Sequence, residues 1–177
     1  MSHRFPIFWL TGNSGAGKTT LAEDLERHFN VEMDTRSPAA RRVIVLDGNA
    51  MRETISTDAS FTPEDRRNHN LRVARLAAHL QSRGFLVIVS VIAPFTSVRC
   101  EIDELCSPMW IYVKRSGLET RGKPYEEPVS PNLTIDHNEL NPEEALTLLQ
   151  AFVLGRITPI KSGRPDRKSR VEDPLFA

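Results

Sequence analysis

Ile7-Phe8-Trp9-Leu10-Thr11-Gly12-Asn13-Ser14-Gly15-Ala16-Gly17-Lys18-Thr19-Thr20-Leu21-Ala22-Glu23-Asp24-Leu25 is the stretch that decides the fold. Its first four residues are a short apolar run that reads as a buried strand. Its last part places Leu21 and Leu25 four apart, on one face of an amphipathic helix. Between them, Gly12 to Thr19 match the phosphate-binding pattern G-x-x-x-x-G-K-[ST] in full. The glycines let backbone N–H groups of Asn13, Ser14, Gly15, Ala16 and Gly17 wrap a polyphosphate, and the helix N-terminus adds its positive dipole end. Lys18 is placed to reach the β- and γ-phosphates. The Thr19 hydroxyl is placed to ligate Mg²⁺, with Thr20 completing the loop. Strand, loop and helix in register predict a site for a nucleoside triphosphate, ATP.

Outward from that run, apolar stretches at 43–47, 86–92 and 110–113, and a weaker one at 133–135, alternate with helical patterns at 18–29, 49–55, 63–83, 96–105 and 142–154. Such alternation predicts an α/β fold of three layers, a mostly parallel five-stranded sheet with helices on both faces. Gly84 is suited to cap the long third helix, and Asn141 followed by Pro142 opens the last one. Trp9 and Trp110 lie inside strands and read as core. The segment 35–42 reads as a surface loop. The expected domain runs over 1–155, with 115–131 as a short lid, and 156–177 as a basic, flexible tail.

Composition narrows the partners. Lysine plus arginine number 23, as do aspartate plus glutamate, so no basic field argues for nucleic acid. No apolar stretch reaches membrane-spanning length, and Cys100 and Cys106 have no metal-ligand spacing and read as reduced thiols. The five histidines are scattered. A cytoplasmic protein with no metal besides the Mg²⁺ of ATP is expected.

The acceptor of the phosphate is read from the second strand, which ends Val45-Leu46-Asp47-Gly48-Asn49-Ala50-Met51-Arg52. An acid at the carboxyl end of a strand lies where open α/β sheets bind ligands. Asp47 there can hold Mg²⁺-bound water or orient an acceptor hydroxyl, or it can cap the following helix. Arg52 can pair with an anionic acceptor in two-pronged geometry.

From about Phe8 to Arg99 the chain resembles the adenylylsulfate (APS) kinases, P-loop NTPase-fold enzymes that phosphorylate the 3′-hydroxyl of APS with MgATP. The resemblance is carried by Gly12 to Ala22, by Leu46-Asp47-Gly48, by Phe61-Thr62-Pro63-Glu64-Asp65-Arg66 and by Val91-Ile92-Ala93-Pro94-Phe95, with a weaker return at Pro124-Tyr125-Glu126-Glu127-Pro128. It implies that Arg52, Phe61, Arg66 and Asn70 contact a nucleotide-like acceptor, and that Ile92, Ala93, Pro94 and Phe95 line its pocket. It implies Lys18, Asp47 and Asn49 as the catalytic positions and Thr19 with Asp47 at the metal. Because the family often forms dimers, a homodimer is one expected assembly.

The chain departs from the family pattern at four places. The family's D-G-D becomes Asp47-Gly48-Asn49, and an amide cannot take the proton of an acceptor hydroxyl. The R-x-x-N asparagine falls on His69, with Asn70 one residue on. A family serine is Ala93, which excludes a phosphoserine there. The lid after Val113 is a stub lacking R-D-x-K-G-L-Y, with Tyr125 as its one aromatic. These leave three readings: an APS kinase with a reduced lid; a sibling kinase acting on another nucleotide-linked or sugar hydroxyl, such as cytidine diphosphoramidate; and a nucleotide-binding module without turnover.

Overall fold

The computed structural model describes residues 5–32, 42–118 and 123–157. Five strands, β1 (Ile7–Thr11), β2 (Val43–Asp47), β3 (Leu86–Ser90), β4 (Met109–Lys114) and β5 (Leu133–Asp136), form one sheet in the order β2-β3-β1-β4-β5. Every pairing is parallel. Parallel neighbours need long crossovers: α1 (Lys18–Arg27) lies between β1 and β2, α2 (Gly48–Thr54) and α3 (Pro63–Ser82) between β2 and β3, and α4 (Thr96–Cys106) between β3 and β4, while α5 (Pro142–Ile157) follows β5.

Side-chain alternation along the strands sorts the helices into two layers. Phe8 and Leu10 of β1, Leu86 and Ile88 of β3, and Ile111 and Val113 of β4 pack with Leu21 and Leu25 of α1 and with Leu149 and Val153 of α5. Ile7, Trp9, Val87, Val89 and Trp110 pack on the other face, against Val73, Ala74 and Ala77 of α3 and Ile102 of α4. Both tryptophans are core, with ring centroids 5.4 Å apart.

Element ends depart from the sequence reading for identifiable reasons. Strand β3 stops at Ser90 rather than Ile92. The carbonyls of Val91 and Ile92 accept from side chains of β1, Trp9 Nε1 (2.9 Å) and Thr11 Oγ1, and Ala93 turns to φ 47°. Helix α1 ends at Arg27, and His28–Glu32 continues as a π-helical turn. Helix α5 runs past Gly155 to the buried Ile157, two residues beyond the domain end expected at 155. The loop at 35–42, apart from Arg42, the middle of the expected lid at 119–122 and the tail from 158 onward lie outside the described residues.

Gly12 closes β1 with φ +145°, and a Cβ there would stand 2.1 Å from the Val113 carbonyl oxygen. Neither the backbone angle nor that backbone neighbour can yield cheaply. Gly12→Ala is therefore expected to cost at least about 2 kcal/mol. Urea unfolding measures this, and an unchanged midpoint would contradict the close approach.

Candidate active site

The loop between β1 and α1 supplies the first wall of a cavity of about 580 Å³, a volume ordinary for a small-molecule site. Asn13, Ser14, Lys18 and Thr19 line it. Gly15 (φ 85°) and Gly17 (φ 97°) adopt the left-handed backbone that turns the loop into the helix, and Gly17 is the N-cap of α1. Lys18 is buried, and its ammonium donates to the carbonyls of Gly12 (2.8 Å) and Asn13 (2.7 Å). Burial pushes its pKa down to about 8, with the Asp47 carboxylate opposing that shift. A buried cation held by carbonyls alone is poised to exchange them for phosphate oxygens.

Thr19 and Asp47 meet across two elements. Thr19 Oγ1 donates to Asp47 Oδ2 at 2.8 Å and lies 3.3 Å from Ser90 Oγ. The other carboxylate oxygen, Asp47 Oδ1, accepts from the backbone N–H of Asn49 (2.9 Å) and Ala50 (3.3 Å), capping α2. The two readings of Asp47, cap and site residue, therefore hold together, one oxygen serving each. A hydroxyl beside a carboxylate is an oxygen-only donor pair. That pair suits Mg²⁺, which takes one or two protein oxygens and fills its octahedron with phosphates and water. The donor set thus fits the ion expected with ATP.

On the opposite wall, Arg52, Phe61 and Arg66 form one cluster. The guanidinium carbons of Arg52 and Arg66 stand 4.5 and 5.3 Å from the Phe61 ring centroid, and Phe61 is 67% exposed. Arg52 donates to the carbonyls of Ala59 (3.3 Å) and Ser60 (3.0 Å), and Arg66 Nε to that of Phe61 (2.9 Å). Burial and the neighbouring Arg66 depress the Arg52 pKa, the signature of two cations held close without a full counter-charge. Asp65 opposes that shift only in part. It accepts from the Ser60 N–H and from the hydroxyls of Ser60 and Thr62, and so shapes the turn that presents Phe61.

Asn70 lies one turn after Arg66 on α3 and lines the same cavity, as do Asn49, Ile92 and Pro94. Ala93 and Phe95, expected along the acceptor pocket, do not. Ala93 is fully buried with its carbonyl taken by Arg99 Nη1 (2.8 Å), and Phe95 precedes α4 and packs into the core beneath it. Six wall residues escaped the sequence reading as site members: Gly48, His69, Ser90, Val91, Lys123 and Pro124. For Ser90 the available signal was a small polar residue ending an otherwise apolar strand. For Lys123 it was a position just before Pro124-Tyr125-Glu126. That segment is tied down at the carboxyl ends of β1 and β3: Glu126 N–H donates to the Pro94 carbonyl (2.8 Å), Arg99 Nη2 to the Glu126 carbonyl (2.8 Å), and the Tyr125 hydroxyl lies 3.0 Å from Thr11 Oγ1.

Ala16, Gly17 and Thr20 face away from this cavity, into a second one of about 330 Å³ beside Arg115 and His137. The loop therefore stands between the two cavities.

A parallel sheet with a phosphate-binding loop after its central strand, a hydroxyl–carboxylate pair beside it and paired arginines across one cavity define a P-loop kinase of small molecules, an ATP-dependent phosphotransferase. Residues 4–117 match the adenylylsulphate kinase family. The chain belongs to that family. It is 32% identical to the adenylyl-sulfate kinase of Paraburkholderia xenovorans, over 88% of this chain and 97% of that one. A variant of the Mycobacterium tuberculosis APS kinase superposes with TM-score 0.66 at 25% identity, covering 86% of this chain and 98% of that one. The hexameric APS kinase of Thiobacillus denitrificans gives TM-score 0.67 at 26% identity, over 86% of this chain and 29% of that one. Among the described residues no helix is long and apolar enough to cross a membrane.

Proposed function

We propose that the chain transfers the γ-phosphate of MgATP to a hydroxyl of a nucleotide-like anionic acceptor, with the 3′-hydroxyl of adenylylsulfate as the first candidate. One observation carries this reading: Lys18 and the Thr19–Asp47 pair open into the same cavity as Arg52, Phe61 and Arg66. Donor phosphates and an anionic acceptor would meet there, and phosphoryl transfer is mainly positioning and charge neutralisation.

In this reading the ATP phosphates lie along the loop, and the nucleoside extends into the second cavity beside Gly17 and His137. Lys18 gives up its two carbonyls for the β- and γ-phosphates. Thr19 and Asp47 would hold Mg²⁺, which neutralises charge on those phosphates when bound. Arg52 and Arg66 pair with the acceptor's anionic group, and Phe61 offers its exposed face to a base. Cytoplasmic sulfate assimilation and self-association as a homodimer belong to the same reading. Cys100 and Cys106, both free thiols, accord with a reducing compartment.

A second reading, a sibling kinase with another acceptor, is favoured by Asn49 in place of a carboxylate and by the short segment between Lys114 and Pro131. ADP release measured with adenylylsulfate, nucleoside diphosphate derivatives and sugar phosphates tests both. Within it, Arg52→Ala and Arg66→Ala should each raise acceptor KM about tenfold or more, since an arginine–anion contact is worth about 1.5–3 kcal/mol. ATP affinity should stay within about threefold. A collapse of ATP binding would show that the cavity is divided differently.

A further inference from the structure

After Ser90 the chain leaves the sheet, yet the next carbonyls, from Val91 to Pro94, are each held by a donor from elsewhere. Trp9 Nε1 donates to Val91 and Thr11 Oγ1 to Ile92. Arg99 Nη1 donates to Ala93 (2.8 Å) and the Glu126 N–H to Pro94 (2.8 Å). Within this run Ala93 sits at φ 47°, a conformation that a non-glycine residue keeps only where its surroundings over-determine it. The same run puts Val91, Ile92 and Pro94 on the wall of the larger cavity.

Arg99, on α4, joins this run to a second one. It is 5% exposed and does not line the cavity. Besides the Ala93 carbonyl it holds Thr96 Oγ1 (3.0 Å) and the Glu126 carbonyl (2.8 Å), both through Nη2. Glu126 Oε2 accepts in turn from the Thr96 N–H (2.7 Å), and that bond, with the Arg99 charge, keeps the Glu126 carboxyl below its ordinary pKa. Tyr125 stacks on Tyr112 of β4, ring centroids 5.9 Å apart, while its hydroxyl meets Thr11 Oγ1. Just before it, Lys123 and Pro124 reach the cavity that Ile92 and Pro94 line. A buried guanidinium carries a desolvation cost that an apolar side chain would avoid. Here its bonds go to fixing two segments, 91–94 and 123–126, as one wall.

We infer that Arg99 is a positioning residue of the acceptor site: without touching a ligand, it sets Ile92 and Pro94 against Lys123 and Pro124 at the spacing the acceptor needs. The inference rests on the kinase reading above, which gives this wall to the acceptor. Neither segment lines the second cavity, so the nucleoside of ATP lies outside the reach of Arg99. Such positioning is costly to lose, since a misplacement of about 1 Å can lower a rate by about a hundredfold.

Calorimetry on the full chain, with adenylylsulfate as the probe and MgADP present, tests it. Arg99→Met keeps the side-chain length and loses every hydrogen bond. It should raise the Kd of adenylylsulfate about tenfold or more and leave that of MgATP within about threefold. Arg99→Lys keeps the charge and can serve one carbonyl, so its Kd should fall between those of the wild type and Arg99→Met. Tyr125→Phe removes only the tether to Thr11, at the other side of the same segment. Alone it should weaken adenylylsulfate about threefold, but by less than about 1.5-fold on top of Arg99→Met, because the segment is then already released. An arginine needed only for stability would lower the melting temperature and weaken both ligands alike. That result overturns the inference, as does an unchanged Kd in Arg99→Met, full additivity with Tyr125→Phe, or no binding of adenylylsulfate by the wild type. If Arg99→Met does not fold, Arg99→Lys and Tyr125→Phe decide by the same comparison of adenylylsulfate with MgATP. Adenylylsulfate bound in the expected pattern but never phosphorylated would sink the kinase reading alone, since these constants are read without turnover.

Discussion

Lys18→Ala is expected to lower kcat by at least about a hundredfold, the scale of losing one positioned group that stabilises transition-state charge. The fold should survive. The Lys18 ammonium is buried against two carbonyls, and its pKa is pushed down to about 8, so the folded protein holds that charge at a net cost. Truncation removes the cost together with the two hydrogen bonds. The melting temperature should then move by no more than about 3 °C. Steady-state ADP release and a thermal melt measured on the same preparation separate the two effects. A variant of near wild-type rate would remove the kinase reading, and one that melts far lower would make Lys18 a structural residue first.

Asn49→Asp is the second large expectation, and its sign carries information. Asp47 has both carboxylate oxygens engaged, by the α2 cap and by Thr19, so it is poorly placed to take a proton from an acceptor hydroxyl. Asn49 lines the cavity one turn from Arg52 and is exposed, so a carboxylate there has room. It also sits in the first turn of α2, where a negative charge complements the helix dipole, and stability should not suffer. The new carboxylate supplies the missing base. It should raise kcat with adenylylsulfate, by up to the roughly hundredfold lower range of general-base effects. A fall in activity would mean that the Asn49 amide donates a hydrogen bond to a different acceptor, a role the carboxylate cannot fill. No turnover of adenylylsulfate by either protein, with ATP bound normally, would assign the cavity to that other acceptor.

The parts of the site legible in the sequence are those whose chemistry is local. Gly12 to Thr19 form their loop from adjacent residues, and Thr62-Pro63-Glu64-Asp65 announces a helix start that places Phe61 and Arg66 together. Asp47 ending an apolar run was readable for the same reason. Ser90, His69 and Lys123 were not. Ser90 reaches Thr19 because β3 lies between β1 and β2 in parallel register, opposite Asp47. Lys123 reaches the cavity because Arg99 and the Glu126 backbone tie its segment to the loop after β3. Ala93 and Phe95 lie off the cavity wall, with a positive φ at Ala93 and Phe95 packed partly against the core.

By itself the sequence determined that this is an α/β protein with a phosphate-binding loop after its first strand. Apolar periodicity and glycine spacing act over a few residues and require no partner. It also grouped Arg52, Phe61 and Arg66, which line one cavity. Only the tertiary structure decided that Asp47 divides its two oxygens between a helix cap and Thr19, because that depends on how β2 sits against α1. It alone decided that His69 is buried, neutral and unpaired. The reason is physical: a histidine's charge and hydrogen bonding depend on its burial and on cations brought by other turns of the chain, here Arg52 and Arg72, and no local pattern records them.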